Sequence, residues 1–208
     1  LYISMQRYGG LPAWMAVLAV LALAASLSLF LAAALAAFAR WRRGAALPDA
    51  LLFAAVWLLA ELGRGVLFTG FPWVASGYAQ VDGPLAAWAP WVGVYGIGAV
   101  GAFVAALPAL QADRSARAWL LGAGLPVALL AVPAAIGVPD FTRPTGTLAV
   151  TLLQGNVPQE EKFAGEHQAE ALEWHLRALL AADGDLVVAP ETAIPFLPQQ
   201  MPEGLWER

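Results

Sequence analysis

The 208-residue chain contains no cysteine. Disulfides and thiolate metal sites are therefore excluded within it, while the redox compartment stays open. Charge is scarce too. Only 12% of the residues are charged and 60% are hydrophobic, where a soluble domain carries about 25% charged residues. The mean hydropathy of +0.66 is that of a membrane protein. There is no glycine-rich phosphate loop, no Gly-x-Ser-x-Gly elbow and no internal repeat of solenoid length. Nothing near the start resembles a signal peptide. The first residue is Leu1 rather than Met, and the run Gly204 to Arg208 does not close a domain, so an internal piece of a longer protein is expected.

The few charges are unevenly spread. Residues 1–139 carry seven Arg and four acids, a net of +3, whereas residues 140–208 carry four Lys/Arg and eleven Asp/Glu, a net of −7. An acidic tail does not suit nucleic-acid binding, which needs basic patches, and no nucleic-acid partner is expected. The chain reads as a transmembrane region, 1–139, followed by a soluble tail, 140–208.

A membrane span needs about 20 apolar residues. Leu11–Ala39, Trp88–Leu110 and Ala118–Val138 are uncharged, the last with Pro126 and Pro133 as expected kinks. Leu47–Thr69 is apolar but interrupted by Glu61 and Arg64, and it counts as a fourth span. Arg40, Arg42 and Arg43 follow the first span, and Arg114 and Arg117 precede the last. Arginine-rich loops stay in the cytoplasm. Residues 40–47 and 111–117 are therefore expected inside, with the tail from Asp140 outside. Trp73, Tyr78, Trp88 and Trp91 would form an interfacial aromatic belt on that outer side.

Glu61 and Arg64 are three apart and share a helix face. Ionisable residues within a span are costly and frequently functional. The plain reading is an ion pair that holds helices together; the sharper one is a polar floor beneath a substrate site at the outer leaflet. The segment after them, Gly70 to Tyr78, is rich in Gly, Pro and aromatic residues and reads as an interfacial loop or a re-entrant element.

In the tail, Thr147–Leu153 is a strand candidate that ends in Gln154-Gly155-Asn156. Gly165–Ala182 is helical, with Leu172, Leu176, Leu179 and Leu180 in a stripe at 3.6 spacing, and Asp183-Gly184-Asp185 stops it. Leu186–Ala189 is a short apolar strand. The order β-α-β favours a parallel pair with Glu191 at its carboxyl edge, where sites in such sheets gather. On position alone the plain reading of Glu191 is a surface acid at a strand end. His167 and His175 are expected as solvated helix residues, because the nearby acids do not complete a tight ligand set; no metal and no cofactor are expected.

Six runs resemble one family. They are Glu61-Leu62-Gly63-Arg64-Gly65, Leu67-Phe68-Thr69-Gly70-Phe71-Pro72-Trp73, Gly77-Tyr78-Ala79-Gln80, Asp82-Gly83-Pro84-Leu85, Gln154-Gly155-Asn156-Val157-Pro158-Gln159 and Val187-Val188-Ala189-Pro190-Glu191-Thr192-Ala193-Ile194-Pro195. In that order they resemble the apolipoprotein N-acyltransferases, bacterial inner-membrane enzymes that add the third acyl chain to lipoproteins.

The resemblance implies a multi-span α-helical membrane bundle followed by the start of a periplasmic nitrilase-like domain, an α-β-β-α sandwich with a Glu-Lys-Cys triad. Glu191 falls on the triad Glu, the general base. The triad Lys and Cys would lie beyond Arg208, so these residues alone should be inactive; Lys162 belongs to an earlier run. Glu61, Arg64, Trp73 and Phe163 are substrate-groove candidates, with Phe163 standing where the family has Trp. The implied partners are a phospholipid acyl donor, a diacylglyceryl lipoprotein acceptor and the bilayer, and the implied state is a monomer. Two other classes compete: a transporter segment with Glu61 and Arg64 as its intramembrane site, and a non-catalytic membrane scaffold with a degenerate nitrilase-like domain.

Overall fold

The charge-free stretch from Leu11 folds as one helix, α1 (Ala13–Trp41), in the computed structural model, which describes residues 1–111, 115–137, 141–158, 165–191 and 193. Its 29 residues span about 44 Å at 1.5 Å per residue. The helix runs two residues past the apolar stretch and carries Arg40 in its last turn, where a cation faces the partial negative charge of the carboxyl end. Next come α2 (Ala46–Val66), α3 (Ala89–Ala109) and α4 (Ala116–Ile136). Short helical turns at 67–69, 76–80 and 86–88 fill the connection from α2 to α3. By length and composition, three helices among the described residues are able to cross a membrane: Ala13–Trp41, Ala46–Thr69 and Ala86–Ala109. The fourth expected stretch is also one helix, with a shorter apolar segment at Gly122–Val132.

Small residues bring these helices together. Ala50 and Ala54 of α2 pack against Phe103, Ala106 and Leu107 of α3, and Ala34 of α1 packs with Val56 and Ala60 of α2. Small side chains let helix backbones approach where lipid competes for every apolar surface. Large apolar residues point the other way: Leu21, Leu29, Leu59 and Leu120 are exposed, as lipid-facing positions are. The turn between α1 and α2 is held by buried Asp49, whose two carboxylate oxygens accept the backbone N–H groups of Arg43 and Gly44, each at 2.8 Å.

The chain divides into two compact units, Leu1–Phe141 and Thr142–Arg208. In the second, β1 (Val150–Leu152) pairs in parallel with β2 (Leu186–Val188), and α5 (Gly165–Leu180) connects them. Val150 stands opposite Leu186 and Leu152 opposite Val188. The ladder extends past both ends of β1, with Leu186 donating to the Ala149 carbonyl and Leu153 to that of Val188. The strands are shorter than the apolar runs because each has one partner among the described residues, and residues beyond that pairing have no ladder to join.

His175 departs from expectation. It is buried rather than solvated. Its ring stacks edge-on against Trp174, Nδ1 lies 2.7 Å from the Ala171 carbonyl, and the ring seats against Gly155. A Cβ on residue 155 would come within 2.7 Å of the imidazole, which accounts for glycine in the Gln154-Gly155-Asn156 run. The side chain of His167 and the whole of Phe163 lie outside the described residues.

Candidate functional site

Two places in the molecule gather the candidate residues, one in each unit. The first lies around the end of α2. Glu61 is 4% exposed, and its Oε1 accepts the backbone N–H of Ser76 at 2.7 Å. Arg64, one turn on, donates from Nη2 to the Val74 carbonyl at 3.1 Å. The two side chains are 3.9 Å apart at their nearest charged atoms. The ion pair is thus loose, and each partner's short contact is to the backbone of the 70–78 loop. Trp57, one turn before Glu61, donates its indole N–H to Ser76 Oγ at 3.1 Å.

Glycine makes room for this cluster. A Cβ at Gly98 of α3 would fall 2.4 Å from Ser76 Oγ and 2.8 Å from Glu61 Oε2, closer than real Cβ atoms come. Glu61 Oε2 and Arg64 Nε are buried without a hydrogen-bond partner among the described residues.

Arg64 also reaches a cavity of about 770 Å³ between α1 and the end of α2. Its walls include Leu27 and Phe30 of α1 with Leu67, Phe68 and Phe71 after α2. The result is an apolar groove with one guanidinium at its edge, a chemistry that suits a ligand with hydrocarbon chains and an anionic group. Of the candidates, Arg64 lines this groove, Glu61 is buried one turn before it and does not line the groove, and Trp73 is on the loop at 70% exposure. Ser76, Trp57 and Asp49 were not singled out in the sequence. Asp49 had a signal, an acid in the first turn of α2 after Pro48. Ser76 had none, because its partner is 15 residues away.

The second place is the carboxyl end of β2. The strand ends at Val188, and Pro190 accepts a hydrogen bond from the Ala193 N–H at 3.1 Å, closing a turn that carries Glu191. Glu191 is exposed. Proline limits the backbone there and leaves the strand edge without a further donor. Among the described residues no group of His, Cys, Asp and Glu is placed to hold a metal ion.

These features define an α-helical protein with three apolar helices of membrane-crossing length, followed by a parallel β-α-β unit bearing an acid at its strand edge. Residues 1–107 match the family described as apolipoprotein N-acyltransferase N-terminal domain, and the chain belongs to the apolipoprotein N-acyltransferase family. It is 50% identical to the apolipoprotein N-acyltransferase of Verminephrobacter eiseniae, over 100% of this chain and 41% of that protein. It is 46% identical to that of Ralstonia nicotianae, over 98% of this chain and 39% of the relative. The apolipoprotein N-acyltransferase of Pseudomonas putida is 40% identical, over 96% of this chain and 41% of its own length. The chain thus spans roughly two fifths of these relatives.

Proposed function

We propose that these residues supply the membrane bundle and the first part of a periplasmic nitrilase-like domain to an enzyme that moves an acyl chain from a phospholipid to the N-terminal diacylglyceryl-cysteine of lipoproteins. The observation that carries the reading is the place of Glu191, on a proline-bounded turn just past a parallel strand, in a chain 50% identical throughout to a protein of that name. Leu152 and Leu180 stand 73% and 71% exposed, apolar surface that further layers of a sandwich would cover.

The chemistry assigned to Glu191 is general-base catalysis. A thiol is a few per cent ionised at neutral pH and is activated by an adjacent base. The carboxylate takes the proton of a cysteine thiol, and the thiolate attacks the phospholipid ester carbonyl. The tetrahedral oxyanion, stabilised by a lysine, collapses to a thioester as the lysophospholipid alcohol leaves with the proton. The lipoprotein amine then attacks the thioester, Glu191 accepts an amine proton, and the thiol is released as the amide forms. The 208 residues hold no cysteine, so the nucleophile comes from outside them and they do not transfer acyl chains alone. No cofactor is needed for this sequence of steps.

In the bundle, Arg64 would face the phosphate of the donor while the apolar walls of its groove take the chains. The arginine-rich loops 40–47 and 111–117 would lie in the cytoplasm and the tail in the periplasm.

The test uses the full-length gene. Glu191→Gln keeps the size but removes the base, and general-base catalysis contributes about 10²–10⁴-fold. The variant is expected to insert and fold while failing to accumulate acyl-thioester from labelled phospholipid. Thioester formation near the wild-type rate overturns the assignment.

A further inference from the structure

The loop after α2 is strained in a way its sequence does not require. Val74 has φ of 63° and Phe68 and Thr69 have φ of 55° and 71°. The left-handed region is uncommon for any residue but glycine, and for a β-branched one such as Val74 it is an outlier. Such a conformation persists only where its surroundings over-determine it. At Val74 the surroundings are identifiable. Its carbonyl accepts from Arg64 Nη2 at 3.1 Å, and two residues on, the Ser76 N–H donates to Glu61 Oε1 at 2.7 Å. Ala75, between these two anchor points, is 3% exposed. The Trp57 indole holds the Ser76 hydroxyl at 3.1 Å from the same helix face.

We propose that Glu61 is a positioning residue: it latches the 70–78 loop in its strained form, and the latched loop in turn holds the Arg64 guanidinium at the edge of the apolar groove. Glu61 does not touch the ligand. Its acceptor oxygen, rather than its charge, carries the role, because the short contact is to a backbone N–H and the ion pair is long. The Val74 carbonyl is the link between the latch and Arg64. If Ser76 is released, Val74 is free to return to the extended region, and the carbonyl that orients Arg64 turns away. The consequence for lipid rests on the groove function proposed above; the latch itself does not.

The latch is tested first without any enzyme activity. These 208 residues hold no cysteine, so in the full-length protein Ala75→Cys adds one labelling site within them, buried when the loop is latched, and its rate is read as the difference from the protein with Ala75 retained. In membranes, a soluble maleimide is expected to label it slowly. Adding Glu61→Ala should speed labelling by about tenfold, the scale set by leaving the left-handed region. Adding Glu61→Gln instead should leave labelling slow, because the amide oxygen still accepts the Ser76 N–H. The decisive variant is Glu61→Ala with Val74→Gly. Glycine adopts the left-handed conformation without strain, so labelling should return towards the slow rate. Val81→Cys, at a position 67% exposed, should label quickly in every background and reports that the protein is present and within reach of the reagent.

Equal labelling of the Ala75→Cys protein with and without Glu61 overturns the proposal, as does equally fast labelling in Glu61→Gln. A failure of Val74→Gly to slow labelling in the Glu61→Ala background overturns it too. In the full-length protein, Glu61→Ala should raise KM for phospholipid more than it lowers kcat, and Val74→Gly should bring KM back. Labelling that follows the latch while KM stays fixed upholds the latch and overturns the groove as the lipid site.

Discussion

Trp88 donates its indole N–H to the Leu129 carbonyl at 2.7 Å, across 41 residues of chain. The acceptor is not arbitrary. In an uninterrupted α-helix the Leu129 carbonyl would take the N–H of residue 133, but residue 133 is proline and has none. The tryptophan that the sequence marks as one of an interfacial belt thus satisfies the backbone group that a proline in the neighbouring helix leaves open. In hydrocarbon such a group has no water to turn to.

Trp88→Phe should therefore cost about 1–3 kcal/mol, the penalty of an acceptor withdrawn from water and left without a donor. In a Pro133→Ala background the helix recovers its own N–H, and the same substitution should cost much less. Thermal unfolding of the four proteins in one detergent measures the coupling. Equal losses in both backgrounds would show that the indole N–H matters for some other reason.

Exchanging Glu61 and Arg64 should not rescue folding. If an ion pair were the whole role, Glu61→Arg with Arg64→Glu would restore it. The geometry argues otherwise, since the Ser76 N–H needs an acceptor at position 61 and the Val74 carbonyl needs a donor at position 64. Each single reversal leaves a buried charge unpaired, at about 3–5 kcal/mol, and the double reversal should remain within that range. Yield of folded protein after solubilisation is the readout. Wild-type recovery in the exchanged protein would mean that the mutual attraction of the two charges outweighs their contacts with the loop.

Topology is checked by fusions. Alkaline phosphatase joined after Gly155 should be active and joined after Arg43 inactive, given the arginines at the end of α1 and at the start of α4. The opposite pattern would turn the bundle over and remove the periplasmic chemistry from the second unit.

Shortening the acid at position 191 should be nearly as harmful as neutralising it. Glu191→Asp keeps the charge but withdraws the carboxylate by one methylene, and about 1 Å of misplacement costs about 10²-fold. Acyl-thioester formation by the full-length protein should fall on that scale, with insertion unchanged. An aspartate variant close to wild type would mean that the carboxylate acts through its charge at a distance rather than as a positioned base.

The helical stretches, the β-α-β order and the strand-edge place of Glu191 were legible in the sequence because each is a local pattern. Absence of charge over some twenty residues, leucines at 3.6 spacing and an apolar run before proline all report on residues close together in the chain. Even there, the ends shifted. α1 ran on to Trp41, and the strands shortened to the residues that find a partner. Tertiary structure alone decided which polar groups meet. The Ser76 N–H for Glu61, the Leu129 carbonyl for Trp88 and the Gly155 surface for His175 are each fixed by how separate segments pack. A sequence pattern records which face a side chain lies on. It does not record which backbone group, tens of residues away, will lose its own partner to a proline or a loop and so take that side chain instead.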